Sequence, residues 1–163
     1  MIILGIDPGF GTVGYGVVVT NSGGVLPFSH GAIVTSKSLP LQDRLREIYG
    51  DIISLVEKFK PAAAAVEQIF YTSNQKTVIE VAEARGVILL ALKDRGVPTF
   101  EYTPLQVKTA VTGYGRATKR QMMEATRMRL KLESIPRPDD AADALAIALC
   151  HAGMTALSAR AVK

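Results

Sequence analysis

A chain of 163 residues with 48% hydrophobic and 21% charged side chains can bury one real core and is too apolar to be disordered, so a single domain over 1–163 is expected. The one cysteine, Cys150, excludes an internal disulfide, suits a reducing compartment and reads as core filler in its apolar run. The net charge of +4 is unevenly placed: residues 1–100 balance nine basic against nine acidic side chains, whereas 101–163 hold ten against six.

The N-terminal run "MIILGI" ends at Asp7, and the "DPG" that follows is a turn signal. "VGYGVVVT" (13–20) and "VLPFSHGAIVT" (25–35) read as two more strands around an "NSGG" hairpin connection, giving an antiparallel meander. Leu41, Leu45, Ile48, Ile52, Leu55 and Phe59 then recur at helical spacing. "AAAAVEQIF" (62–70), bounded by Pro61 and the polar "TSNQK", is a buried strand with Glu67 near its exit. A helix from about Thr77 to Asp94 is closed by "RGVP", and "PTFEYT" (98–103) is a fifth strand. Thr103 with Gln106 and Thr118 with Gln121 form capping boxes that open two short helices on either side of the "TGYGRA" loop. The last helix runs from about Asp140 towards Ser158 and is apolar on nearly every side, so it is buried. The order predicts an α/β fold, a mixed five-stranded sheet flanked by helices, with strands one, four and five parallel. The longest apolar runs, 86–92 and 144–150, fall far short of the ~20 residues a membrane span needs. "MIILGIDPG" lacks the basic lead of a secretory signal, so a soluble cytoplasmic protein is expected.

Asp7 and Glu67 would leave parallel neighbouring strands at one sheet edge, where ligands of open α/β sheets bind. Asp140 and Asp143, three apart, share a helix face that could pack over that edge. Each has a plainer reading: Asp7 a turn residue, Glu67 an exposed or paired charge, Asp139 and Asp140 helix caps. Asp143 among apolar neighbours is hardest to dismiss, because an unpaired buried carboxylate is costly. A divalent cation would resolve four gathered carboxylates, and all-oxygen donors favour Mg²⁺, or Mn²⁺, over zinc. Two such ions can serve phosphodiester chemistry. Within 104–131, Lys108, Arg116, Lys119, Arg120, Arg127, Arg129 and Lys131 face Glu124 alone, which suits either a polyanion backbone or a solvated helix face.

"ILGIDPGFGTVGYGVV", "VEQIFYTSNQKTVIEVAEARGV", "FEYTPLQVKTAVTGYGRATKRQM" and "PDDAADALAIALCH" resemble, in this order, the RuvC family of Holliday-junction resolvases, from residue 2 to about 151. The resemblance implies a ribonuclease-H-like fold and a Mg²⁺-dependent endonuclease with two ions per site, leaving 5′-phosphate ends. It implies a homodimer that nicks two opposing strands of four-way junction DNA in recombination and repair, alongside the RuvA and RuvB branch-migration proteins. Carried across, the metal ligands and catalytic residues are Asp7, shared between the ions, with Glu67, Asp140 and Asp143. Some relatives carry His at the position of Asp140, and Asp139 is left as a cap or accessory charge. Lys108 and Lys119 match lysines placed near the scissile backbone, Arg116 and Arg120 are further DNA contacts, and Phe70 matches an aromatic that wedges among bases. The helix from about 77 to 94, with "EARGVILLAL", is the expected dimer face. A nuclease of the same fold acting on structured RNA and a non-cleaving junction-binding module are the alternatives. An ATPase sharing the "GIDxG" start would need two lobes, for which the chain is too short. His30 and His151 show no ligand spacing and take no role.

Overall fold

The computed structural model describes residues 1–69 and 75–161. In chain order the elements are β1 (Ile2–Asp7), β2 (Thr12–Asn21), β3 (Gly24–Val34), α1 (Leu41–Phe59), β4 (Ala63–Glu67), α2 (Gln75–Asp94), β5 (Thr99–Tyr102), α3 (Pro104–Thr112), α4 (Lys119–Arg129) and α5 (Asp139–Ala161). They form one sheet in the order β3-β2-β1-β4-β5. β1, β2 and β3 pair antiparallel through short links, whereas β1, β4 and β5 are parallel because a helix intervenes at each crossover. The expected mixed five-stranded α/β sheet is present.

Pleating then sorts the side chains between two layers. On one face, Leu4 and Ile6 of β1 and Ala64 and Val66 of β4 share a core with Ile48 and Ile52 of α1 and Ile88 and Leu92 of α2. On the other, Ile3 and Ala65 pack with Val107 of α3, Met122 of α4 and Leu145 of α5. Asp7 and Glu67 continue the alternation of Ile3 and Ala65, so both project to the face that α5 covers.

The helix expected over Leu41–Phe59 is present as α1, and one strand end needs correction. The buried stripe of α1 is Arg44, Ile48, Ile52, Val56 and Phe59, while Leu41 is exposed. Leu45 and Leu55 pack against the same core, as the helical spacing expects, and Arg44 adds a charged residue to that face. β4 ends at Glu67, three residues before the apolar run does. The fourth strand can extend only as far as its neighbours offer partners, and β5 ends at Tyr102, opposite Glu67.

α5 approaches the sheet more closely than side chains ordinarily permit. A Cβ on Gly5 would lie 2.1 Å from the carbonyl oxygen of Ala144, and one on Gly14 would lie 2.1 Å from that of Asp140. Glycine on the strand side and alanine on the helix side let backbone meet backbone. Ala144, Leu145, Ala146, Ile147 and Ala148 are wholly solvent-free. Burial of Leu145 and Ile147 alone contributes ~1.5–3 kcal/mol each. α5 is the central element of its layer, and its first turn is fixed over the end of β1.

Candidate active site

The register of the sheet assembles the acidic group. Ile6 pairs with Val66, so Asp7 and Glu67 end adjacent parallel strands side by side. Asp7 also pairs across to Gly14, the residue on which the Asp140 backbone rests. One turn along α5, Asp143 is half-buried; its Oδ1 is solvent-free with no hydrogen-bond partner, and its Oδ2 lies 3.2 Å from the Lys119 ammonium. Lys119 opens α4, which the Thr118–Gln121 capping box holds as expected.

Each carboxylate feels the others. Burial, then the charges of Glu67, Asp143 and Asp140, push Asp7 up to about 8, against the opposing pull of Lys119. Burial and Asp143 raise Glu67 to about 7, with Lys108 opposing. Burial raises Asp143 as well, even though Lys119 pulls the other way through its charge and its hydrogen bond. Burial works against the charge on Lys119, but Asp143, Asp139 and Asp140 outweigh it and lift that amine above the ordinary lysine range.

This group fits a hard divalent cation in its chemistry. The donors are all carboxylate oxygens, their charges are mutually unfavourable, and one buried oxygen of Asp143 lacks any partner. As the side chains stand, no three acidic, His or Cys residues among the described residues are arranged to hold a metal ion. At this edge the Lys119 ammonium is paired with one oxygen of Asp143.

The other expected residues are distributed around this edge. Asp139 is the first residue of α5, and its carboxylate is drawn outward by Arg137 at 2.6 Å and Lys119 at 3.7 Å. Lys108 on α3 is half-buried on the side of Glu67. Arg116 and Arg120 are exposed and, among the described residues, have no ion-pair partner. Arg127 is taken by Glu124 at 2.8 Å, and Arg129 donates to the Ala110 carbonyl at the end of α3 at 2.5 Å. The basic stretch therefore divides into structural and available charges. Phe70 lies outside the described residues, as does Tyr71. Cys150 is buried, and His151 is buried in a 2.7 Å hydrogen bond with the Tyr102 hydroxyl, which gives both a place in the core.

Two arginines escaped the sequence reading. Arg44 is buried without a carboxylate: Nε donates to Thr35 Oγ1 at 3.0 Å, Nη2 donates to the Phe10 carbonyl at 3.3 Å, and the guanidinium lies 3.5 Å from the Phe10 ring centroid. It fixes the turn that leaves Asp7. Its signal was a charge at i, i+4, i+8 with Ile48 and Ile52. Arg85 of α2 pairs with Glu101 and donates to the Glu67 carbonyl at 3.4 Å, steadying the end of β4; nothing local in the sequence marks that contact.

Sheet order and the closing helix α5 define the ribonuclease-H-like fold class, with carboxylates on adjacent strand ends at its edge. Within that class the particular family is clear: the family model for crossover junction endodeoxyribonuclease RuvC matches residues 3–151, and the chain belongs to that family. The crossover junction endodeoxyribonuclease RuvC of Syntrophomonas wolfei is 52% identical over 93% of this chain and 88% of its own length. The RuvC protein of Thermotoga petrophila is 49% identical over 93% of this chain and 92% of its own. Among solved structures, Thermus thermophilus RuvC in complex with a Holliday junction substrate superposes with a TM-score of 0.90 at 36% identity, covering 97% of this chain and 96% of that one.

Proposed function

We infer that this protein is a structure-selective endodeoxyribonuclease that resolves Holliday junctions by paired symmetric nicks. Family membership supports the activity. The observation that carries the site is the half-buried, mutually repelling set of Asp7, Glu67 and Asp143, with one buried Asp143 oxygen unpartnered. Asp7, Glu67, Asp140 and Asp143 would hold two Mg²⁺ ions, with Mn²⁺ as a substitute. Bound there, such ions neutralise the cluster and stabilise charge on the oxygens of a transferring phosphate. Ligation requires Asp7 and Glu67 deprotonated, so affinity for the ion rises with pH through about 7 to 8.

The surrounding residues bind and orient the DNA. Lys119 stands at the N-terminus of α4, where its ammonium and the helix N–H groups together suit a phosphate. Lys108 sits across the acidic group beside Glu67, while Arg116 and Arg120 extend the positive surface away from it. Phe70 is the residue proposed to stack at the junction centre. Symmetric cutting requires two sites, hence a homodimer. The outer face of α2 supports this, because Ile79 and Leu90 are 63% and 54% exposed there. RuvA and RuvB are the expected partners, and the cytoplasm is the expected compartment; no helix among the described residues is long and apolar enough to cross a membrane.

The test is incubation of the protein with a synthetic mobile four-way DNA junction and Mg²⁺, followed by mapping of the nicks. Paired nicks at symmetric positions are expected from the wild type. Asp143→Asn should bind the junction and leave it uncut. Full cleavage by Asp143→Asn, or a preference for structured RNA, would overturn the reading.

A further inference from the structure

Asp143 has two oxygens in different situations. Oδ2 is 3.2 Å from the Lys119 ammonium, whereas Oδ1 is buried and has no partner at all. A lysine is a single point charge with rotatable donors, so it neutralises this carboxylate without satisfying it. Its second neighbour, Asp139, does not depend on it, because Arg137 already holds that carboxylate at 2.6 Å. The Lys119 side chain is also 57% exposed against 19% for Asp143, so solvent reaches the ammonium and can take it over from the carboxylate. Its backbone, by contrast, is fixed by the capping box at the start of α4.

We propose that Lys119 is an exchangeable counter-ion, paired with Asp143 while no divalent cation is bound and released to the substrate phosphate when a cation takes Asp143. The inference rests on the assignment of Asp143 as a metal ligand and of Lys119 to the DNA backbone. The same amine then cannot serve both partners at once. A doubly charged ion outcompetes it for the carboxylate, and the half-exposed, flexible stem lets the ammonium swing outward. Junction bound without a divalent cation meets one positive charge fewer than junction bound with it. Cation loading and grip on the scissile backbone become a single event.

The experiment compares the full-length wild type with Lys119→Gln and Lys119→Arg. Junction affinity is measured across a salt series in EDTA and in Ca²⁺. The change in log–log slope on adding Ca²⁺ should be larger for wild type than for Lys119→Gln by about 0.9, the contribution of one phosphate contact. Without DNA, Mn²⁺ should bind Lys119→Gln about two- to fivefold more tightly than wild type, the loss of one weak competing ion pair, while Lys119→Arg stays near wild type. Equal Ca²⁺-induced slope changes in wild type and Lys119→Gln would overturn the exchange while leaving the metal site standing, as would unchanged Mn²⁺ affinity. If the wild type binds Mn²⁺ no better than Asp143→Asn does, the metal assignment falls and the exchange falls with it.

Discussion

Asp7→Asn should destroy cleavage and, in the absence of divalent cations, stabilise the protein. Asp7 is held at about 8 in the folded chain against 3.8 for the free side chain, chiefly by burial and then by Glu67, Asp143 and Asp140. The native state therefore keeps this proton to higher pH than the unfolded chain does. The associated stability is fully present below about pH 4 and is lost as the pH rises towards 8. Four pH units at 1.36 kcal/mol each give roughly 5 kcal/mol as the whole linkage. Asparagine keeps the shape but must still satisfy a half-buried amide, which returns ~1–3 kcal/mol of the gain. A net stabilisation of ~2–4 kcal/mol at pH 8 remains, and for a domain of this size that raises the melting temperature by ~4–16 °C. The assay is thermal unfolding of both proteins in chelator at pH 8 and pH 4.5. The difference should be clear at the higher pH and close at the lower one, where Asp7 is itself protonated. Mg²⁺ should then stabilise the wild type by mass action and the variant much less. Equal melting temperatures at pH 8, or a gap that persists undiminished at pH 4.5, would refute the idea that burial and neighbouring charges together strain this site.

Gly14→Ala places a methyl 2.1 Å from the Asp140 carbonyl and 3.0 Å from its Cβ, so α5 must lift from the sheet. Denaturant unfolding should show a loss of ~1–3 kcal/mol, and junction cleavage should fall with it. Leu90→Glu puts a charge on the exposed apolar face of α2 and should shift sedimentation from dimer to monomer with little change in the melting of the isolated chain. A dimer that survives this change would move the interface elsewhere.

What the sequence disclosed was governed by how local the cause is. The capping boxes at Thr103 and Thr118 lie within four residues of chain, and both are formed as read. The bounds of α1 and the side it buries were legible for the same reason, but the place of Arg44 on that side was not. A charged residue on a core stripe, Arg44, is tolerable because Phe10 of the turn between β1 and β2 and Thr35 just after β3 supply its partners. The end of β4 was misjudged because strand length depends on the neighbour, here β5, and not on the hydrophobicity of the strand itself. Asp7, Glu67, Asp140 and Asp143 were legible as candidates from strand ends and helix spacing, and family resemblance made the selection. The pairing of Lys119 with Asp143, far apart in the chain, had no sequence signal beyond proximity to a predicted helix start.

Gly5 and Gly14 show why the site and the fold cannot be separated. Inside a strand a glycine is ordinarily a weakness, since it has no side chain to pack and more backbone entropy to lose. Here the missing Cβ atoms are filled by the backbone of α5, so the loss is returned as contact along the solvent-free stretch 144–148 of that helix. The same contact sets Asp140 against the strand position paired with Asp7. Four carboxylates gathered at one edge oppose folding, and the alanine-rich packing of α5 is the element able to hold them there. Substitutions that loosen this layer should therefore relieve the repulsion as they disorder the site, so their stability losses will be smaller at pH 8 than at pH 5. A core change remote from the acidic edge, such as Ile52→Val beneath the opposite face of the sheet, should show no such pH dependence. Comparing the two series by denaturant unfolding isolates the electrostatic strain from ordinary packing.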